Sequence, residues 1–452
     1  MTNTLTRRQW FTTTASAAFA SRHGASAELE KRDMITRSSR PMDLEMPLDG
    51  FLSPITPIER FYVRCHTYTP EVKLSEWKLS IDGVVDNPVT LTMDDLRKLP
   101  HVDLVGVIEC AGNGRAFYQP RVAGTQWEYG SVGNARWTGV RLADVLRRAG
   151  VKDAARNVLF NGADVPLGKM EDFRRSIPLA KALDPDTLLA FAMNGRALPI
   201  VHGFPLRVVV PGWAGDSWVK WLEQITVLDK DFEGFWMKTA YRHPMKPVAP
   251  GTTVDPAQMI PVEDIGVKSV IASPGGWVQP GATTHIRGAA WSNTSPVAGV
   301  DVSTDGGATW KPAHLSKSMG RYSWRQWEAK WSAGPDGSKA TLMARARNEA
   351  GQVQPLEQQW NPNGYLWNVV HRVEVAVAAK DPRTTTNKAK VEPNNTYASS
   401  CTACHDEGMS TQQRLTRAQW DKEVAKMERW GASVKPDERG QLLDYLLKQT
   451  GQ

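Results

Sequence analysis

The order of apolar and polar positions divides the chain into stretches of different texture. Between residues 51 and 250 the pattern is mixed: residues 77–81 and 104–108 read as strands, and residues 142–149 as a short helix stopped by Gly150. Residues 206–210 read as a buried strand closed by Pro211 and Gly212. From about 260 to 377 short alternating strands recur between Gly, Pro and Asn turns, as at 284–288, 297–302 and 340–346, which predicts a β-sandwich. Residues 303–310 resemble an Asp-box turn, but in a single copy a hairpin closed by Asp305, Gly306 and Gly307 is the simpler reading. Residues 28–50 look like a polar, irregular lead-in, and residues 378–395 like a polar linker. The last stretch predicts three short helices: one around 401–405, one over 417–429 and one over 436–448. Some sixty residues make a poor core alone, so a bound apolar group would supply its centre.

Length and composition agree with several folded domains. The 452 residues are 41% hydrophobic and 23% charged, ordinary for soluble globular protein. Eighteen Trp residues point first to aromatic cores. The net charge of +7 is spread along the chain; it favours anionic substrates or an acidic protein partner and carries no nucleic-acid signature. Arg7 and Arg8 precede a weakly apolar run and an A-x-A site at Ala25–Ala27, the pattern of a twin-arginine leader over residues 1–27 and hence of a periplasmic address. No other stretch is long and apolar enough to span a membrane.

The most specific motif lies near the end. Cys401, Cys404 and His405 form C-x-x-C-H, the attachment pattern for haem c: two thioethers to the macrocycle and one axial imidazole. A zinc site would need further Cys or His ligands, and His405 is the only His after residue 371. For the second axial position Met409 is too close to His405 to reach the other haem face, and Met427 on the following helix is the candidate.

Two other Cys remain. A disulfide between Cys65 and Cys110 is one use, though their neighbourhoods suggest others. Cys110 follows a buried strand and precedes Gly112, Gly114 and Arg115, so it reads as a nucleophile, a soft-metal ligand or a buried turn residue. It does not stand alone. The segment 61–66 (F-Y-V-R-C-H), the C-A-G-N-x-R segment from Cys110, the segment 202–207 (H-G-F-P-L-R), Pro211 with Gly212, and V-K-W-L from Val219 follow one another in the order seen in the sulfite oxidase family. The resemblance runs from about residue 50 to 377, and with the terminal haem motif the chain looks like the bacterial sulfite:cytochrome c oxidoreductases.

The resemblance implies an α+β chain: a molybdopterin-binding domain (45–255), an immunoglobulin-like dimerisation domain (256–377), the linker, and an all-α cytochrome c domain (396–452). It implies a molybdenum–molybdopterin cofactor with Cys110 as the protein thiolate on the metal. His66, Asp164, His202, Arg207 and Lys220 match cofactor-holding positions, and Arg64, Arg115, Trp127 and Tyr241 match the anion pocket. Ser217 and Asn363 stand where animal members carry Arg, so the pocket has fewer positive groups. Cys65 reads as a small filler beside the cofactor.

The implied activity is oxidation of sulfite to sulfate by oxygen-atom transfer, with electrons leaving through the haem to an external cytochrome c, in a homodimer. One rival keeps the fold and runs atom transfer in reverse, as a reductase of nitrate or a sulfoxide. Another is a metal-free electron-transfer protein.

Overall fold

The computed structural model describes residues 29–292, 295–382 and 394–450. The leader expected at 1–27 and most of the linker expected at 378–395 lie outside the described residues.

Two five-stranded sheets build the front domain. In the first, Leu188–Met193 pairs with Arg196–Ala197, Arg207–Val209 and Val132–Arg141, and the last of these pairs with His101–Glu109. In the second the order is Val89–Leu91, Leu79–Gly83, Leu222–Leu228, Asn157–Gly162, Arg175–Pro178, with one parallel pair, Leu79–Gly83 beside Leu222–Leu228. Leu188–Met193 is buried along its whole length, as its unbroken apolar run requires. The helix Leu142–Ala149 packs Leu142, Val145 and Leu146 into the same core as Trp137 and Phe160, and ends at Gly150 in a left-handed conformation (φ 71°).

The expected lead-in departs from the prediction. Ile35–Ser39 and Met42–Glu45 form an antiparallel hairpin, and Val63–Arg64 adds a third strand. The hairpin looks polar in sequence because its buried side carries acids. Asp43 accepts from the Thr125 hydroxyl (2.9 Å) and Arg64 (3.2 Å), and Glu45 from the Gly130 amide (2.8 Å) and Arg37 Nε (2.6 Å). Such acids are tolerated inside only because each lone pair finds a donor.

The second domain is a two-sheet sandwich. Lys268–Ser273, Thr283–Trp291, Arg325–Ser332 and His314–Leu315 form one sheet; Trp277–Val278, His371–Val377, Lys339–Asn348, Val297–Ser303 and Lys311–Pro312 form the other. Ile286, Trp327, Leu342 and Val375 belong to one buried core in this domain. The turn at 303–310 is a hairpin link: Asp305 accepts from the Thr309 amide (2.9 Å), and Gly306 and Gly307 take positive φ.

One buried cluster ties the two domains together. Glu109, next to Cys110, accepts from Asn113 Nδ2 (2.8 Å), from Trp291 Nε1 (2.7 Å) and from Lys268 Nζ. Asn113 belongs to the Cys110 loop, whereas Trp291 and Lys268 come from the sandwich.

The C-terminal module holds four helices rather than the three expected: Asn395–Ser400, Gly408–Thr411, Arg417–Arg429 and Arg439–Thr450. The segment 401–405 is not helical; the first helix ends at Ser400, and the Thr402 hydroxyl donates back to Ala398 O (2.5 Å). Thr416 and Gln419 form a capping box that starts the third helix. Tyr397, Leu415, Trp420, Val424, Leu442 and Leu446 make a small core that Ala123 of the front domain joins.

The module docks on the front domain through polar contacts. Ser38 Oγ (2.8 Å), the Ser39 amide (2.5 Å) and Ser39 Oγ donate to the Asp406 carboxylate, Arg40 donates to Thr402 O, and the Lys169 amide to Trp430 O (3.0 Å). Among the described residues no helix is long and apolar enough to cross a membrane.

Candidate active site

The strands of the front domain deliver their ends to one cleft. Cys110 follows the strand His101–Glu109; Arg64 and His66 follow the hairpin; His202 and Arg207 flank a turn whose Gly203 (φ 106°) lies close to the Lys220 backbone. The cleft encloses about 710 Å³, its open mouth included, and its walls include Arg64, Cys65, His66, Cys110, Asp164, His202, Arg207, Lys220 and Tyr241. Eight of the residues expected at the site therefore converge, with Cys65 beside them as a filler.

Arg115 and Trp127 are not among the lining side chains and sit deeper in the protein. Arg115 Nη1 donates to Thr125 O (3.0 Å), its Nε to Asn363 O (3.3 Å), and its guanidinium lies over the Tyr365 ring (5.1 Å). Trp127 is fully buried, and its Nε1 has no partner among the described residues. Asn363, at the position of a missing arginine, donates to Arg242 O (2.8 Å), and Ser217 is buried. Cys65 and Cys110 are both free thiols.

Charge in and around the cleft is unbalanced: Arg207 and Lys220 line it, and Lys31 stands behind it on His202. Arg207 donates to His202 O and Trp218 O (3.0 Å each), Lys220 to Val201 O (3.0 Å) and Cys65 Sγ (3.3 Å), and Lys31 to Ile58 O (2.7 Å), Phe61 O (2.8 Å) and His202 Nε2 (2.6 Å). Among the described residues none of these three cations meets a carboxylate at ion-pair distance. Burial pushes Lys31 down to about 7 and Arg207 to about 10, lowers Lys220, and holds His66 and His202 well below the usual imidazole range. A site that desolvates cations without pairing them favours an anionic occupant. The buried Arg207 Nε, which has no partner in the described chain, points the same way. Molybdopterin carries a phosphate, so the donor set fits it. Burial raises the Cys110 thiol to about 11 although Arg115 opposes the shift; a metal cation there would reverse it, because a coordinating thiol is deprotonated outright.

A neutral pair lines the same cleft as Cys110. His66 Nε2 and the Tyr241 hydroxyl share a hydrogen bond of 2.5 Å, and burial raises the Tyr241 pKa well above its ordinary value. Tyr241 takes a positive φ (53°), stacks on Tyr365 at 5.4 Å and lies 5.2 Å from the Arg175 guanidinium. Arg175 is fully buried and paired with Asp216 at 2.5 Å.

Lys31, Asp43, Arg175 and Asp216 escape the sequence reading. Lys31 and Asp43 lie in the stretch that looks like a lead-in. Asp216 directly precedes Ser217, whose departure from the animal pattern was the one available signal.

The oxidoreductase molybdopterin-binding domain family matches residues 66–236, and the Mo-co oxidoreductase dimerisation domain family matches residues 259–378. The chain is 34% identical over 365 residues to the sulfite oxidase of Arabidopsis thaliana, a match that covers 74% of this chain and 92% of that protein. The chain belongs to the sulfite oxidase family. It is also 37% identical over 366 residues to the mitochondrial sulfite oxidase of Drosophila melanogaster, covering 75% of this chain but 62% of that relative. Among solved structures, the sulfane dehydrogenase SoxCD from Paracoccus pantotrophus superposes with a TM-score of 0.66 at 28% identity, over 82% of this chain and 97% of that one. Both family matches end before the C-terminal module. The front domain is thus a molybdopterin-binding oxidoreductase domain of sulfite oxidase type, and the sandwich is the family's dimerisation domain.

The C-terminal candidates occupy one small module. His405 Nδ1 lies 3.0 Å from Asp406 O; Cys401 is half-buried against the module core, and Cys404 is exposed. Met427 is half-buried on the helix Arg417–Arg429. The Tyr68 hydroxyl, two residues beyond His66, donates to Cys404 O (3.3 Å).

Proposed function

We propose that the protein is a periplasmic sulfite dehydrogenase, exported by the twin-arginine route. It would oxidise sulfite to sulfate at a molybdenum–molybdopterin centre and pass the electrons through a covalent haem c to an external cytochrome c. The observation that carries this reading is the Tyr68–Cys404 contact: it sets the C-x-x-C-H segment against the strand end that also bears Arg64 and His66. An electron outlet placed there serves the cleft directly.

Arg207, Lys220, His202 and Asp164 would hold the molybdopterin, and Cys110 would ligate the metal. That cofactor supplies two-electron oxygen-atom transfer. Arg64, held by Asp43, presents its guanidinium to the cleft and would bind and orient the sulfite dianion by charge-assisted hydrogen bonds. Tyr241 keeps its proton and would donate to a substrate oxygen, with His66 as its neutral partner. Arg115 adds positive potential from behind the Cys110 loop, a fixed charge that needs no reorganisation during reaction. The relatives named as sulfite oxidases support the choice of sulfite.

Cys401 and Cys404 would attach the haem, with His405 and Met427 as axial ligands. The haem supplies one-electron transfer. Trp420 Nε1 is buried without a partner among the described residues, which suits a carboxylate of that group. The sandwich would pair two copies as a homodimer.

The test is optical. Sulfite added to the oxidised protein should reduce its own bound haem before any external acceptor is present. The Arg64→Gln variant should need at least about tenfold more sulfite, since one charge-assisted contact is worth about 1.5–3 kcal/mol. Haem that stays oxidised with sulfite, in a protein that instead oxidises its reduced haem with nitrate, would establish the reductase.

A further inference from the structure

The loop 121–127 lies between the module and two arginines, Arg64 at the cleft and Arg115 behind the Cys110 loop. Gln412 and Gln413 close the short helix Gly408–Thr411, and both reach across to this loop. Gln412 Oε1 accepts from the Gln126 amide (2.7 Å); Gln413 Nε2 donates to Gly124 O (3.0 Å), and its Oε1 accepts from Gln126 Nε2 (3.3 Å). Gln419 Nε2 donates to Arg121 O (2.9 Å). Gln126 and Gln413 are both buried, so the bond between their side chains is made away from water, where a missing partner costs most.

On its other side the same loop holds the anion-binding groups. Thr125 O accepts from Arg115 Nη1 (3.0 Å), and the Thr125 hydroxyl donates to Asp43 (2.9 Å). Asp43 in turn receives Arg64 at 3.2 Å. Thr125 thus fixes one arginine through its carbonyl and the other through its side chain and Asp43. The Trp127 carbonyl accepts from the Ala116 amide (3.0 Å), closing the loop onto the segment that bears Arg115.

We infer that the C-terminal module is a working part of the substrate pocket, with Gln412 and Gln413 as positioning residues that hold the loop 121–127 and, through Thr125, the guanidinium groups of Arg115 and Arg64. The inference rests on the proposed sulfite reading and adds to it. Docking of the electron-accepting module and affinity for the oxyanion become one equilibrium. A chain whose module is undocked would bind sulfite weakly, so substrate is held tightly only when the outlet is in place. Such coupling is reciprocal: a bound oxyanion must favour the docked module to the same degree.

The experiment uses the full-length, cofactor-loaded protein and the variants Gln412→Ala with Gln413→Ala, Gln413→Glu, and Lys435→Ala as a control in the module, where Lys435 is exposed and paired with Glu438 (3.0 Å). Gln413→Glu keeps shape and removes the donor to Gly124 O. Sulfite oxidation is followed with a dye that takes electrons at the metal site, so that transfer through the haem does not enter. The double variant and Gln413→Glu should raise the sulfite KM about five- to tenfold with kcat within about twofold. Amide hydrogen exchange over 121–127 should quicken in both variants but not over 206–210, and Lys435→Ala should change neither reading. An unchanged KM in an active variant would overturn the coupling, whether or not exchange quickens. Failure of the unaltered protein to oxidise sulfite would overturn the functional reading instead, while unchanged exchange in the variants would still count against the coupling.

Discussion

Cys110 and Cys401 carry the same burial effect in opposite surroundings. Burial pushes both thiols up to about 11, with Arg115 working against the shift at Cys110 and Cys404 adding to it at Cys401. Cys110 follows a nine-residue strand in a domain where several charged groups are held by buried partners: Arg64 by Asp43, Arg175 by Asp216, and Glu109 by Lys268 of the sandwich. Cys401 begins a run of turns in a module with a small core, attached to its neighbour by serines, glutamines and backbone carbonyls. Buried ion pairs such as Arg175–Asp216 hold the frame of the cleft while Arg207 and Lys220 stay unpaired inside it, whereas the module's position comes from polar bonds at an interface, each worth about 0.5–1.5 kcal/mol. A site that must hold a polyanion and a metal needs the first kind of support. A module that, on the proposed reading, passes electrons to an outside partner can work with the second.

Mutations should separate the two regions. The largest effect is expected from Cys110→Ser: sulfite turnover should vanish while the visible spectrum of the module stays unchanged. Near-normal turnover would remove Cys110 from the metal.

Next is Lys268→Met, which leaves Glu109 buried without its cation. It should destabilise the unit made by the front domain and the sandwich by about 3–5 kcal/mol, read by chemical denaturation, with the optical signature of the module surviving to higher denaturant. A loss below about 1 kcal/mol would show that the Lys268–Glu109 pair does little to hold the two domains together.

A smaller effect is expected at Asp164, where burial raises the carboxyl to about 6 even though Lys220 opposes it. A raised folded-state value means that the cofactor-free protein loses stability as pH rises from about 4, the unfolded value, to about 6, and does not regain it above. Asp164→Asn should therefore stabilise the cofactor-free protein by on the order of 2 kcal/mol at pH 7 and not at pH 4. Equal shifts in melting temperature at both pH values would contradict this origin.

The smallest effect on the cleft belongs to Met427→Ala. Covalent haem should remain and its spectrum should move to high spin or to a substitute ligand, while dye-linked sulfite oxidation continues and cytochrome c reduction falls. If Met409→Ala produces the spectral change and Met427→Ala is silent, the axial assignment moves to Met409.

Much of the fold was legible in the sequence because its strongest periodicities are local. The strand around 104–108, the helix over 142–149 with its Gly150 stop, and the helix from Arg417 to Arg429 all stand where the pattern puts them. The hairpin over 35–45 was hidden because Asp43 and Glu45 point inward, so buried positions read as polar. Lys31 was hidden for the same reason: its burial depends on carbonyls of residues 58 and 61 and on a histidine 171 positions away. At the site, residue types and motif order identified the cleft's lining, but motif order carries no depth. It could not tell that Arg115 stands behind the Cys110 loop while Arg64 faces the cavity. The segment 401–405 was expected to be helical, and the Thr402 hydroxyl closing back on Ala398 shows how one side chain ends a helix that spacing alone would continue.

The shared acid at Glu109 also bears on how such chains can be recombined. It lies within one family domain (66–236), while Lys268 and Trp291 lie within the other (259–378). A chimera joined between 236 and 259 from two relatives inherits the acid from one parent and its cation and indole from the other. Unless both parents carry the same three residues, the splice leaves an orphaned charge beside Cys110. The two domains are thus one unit of inheritance, although they are two units of architecture.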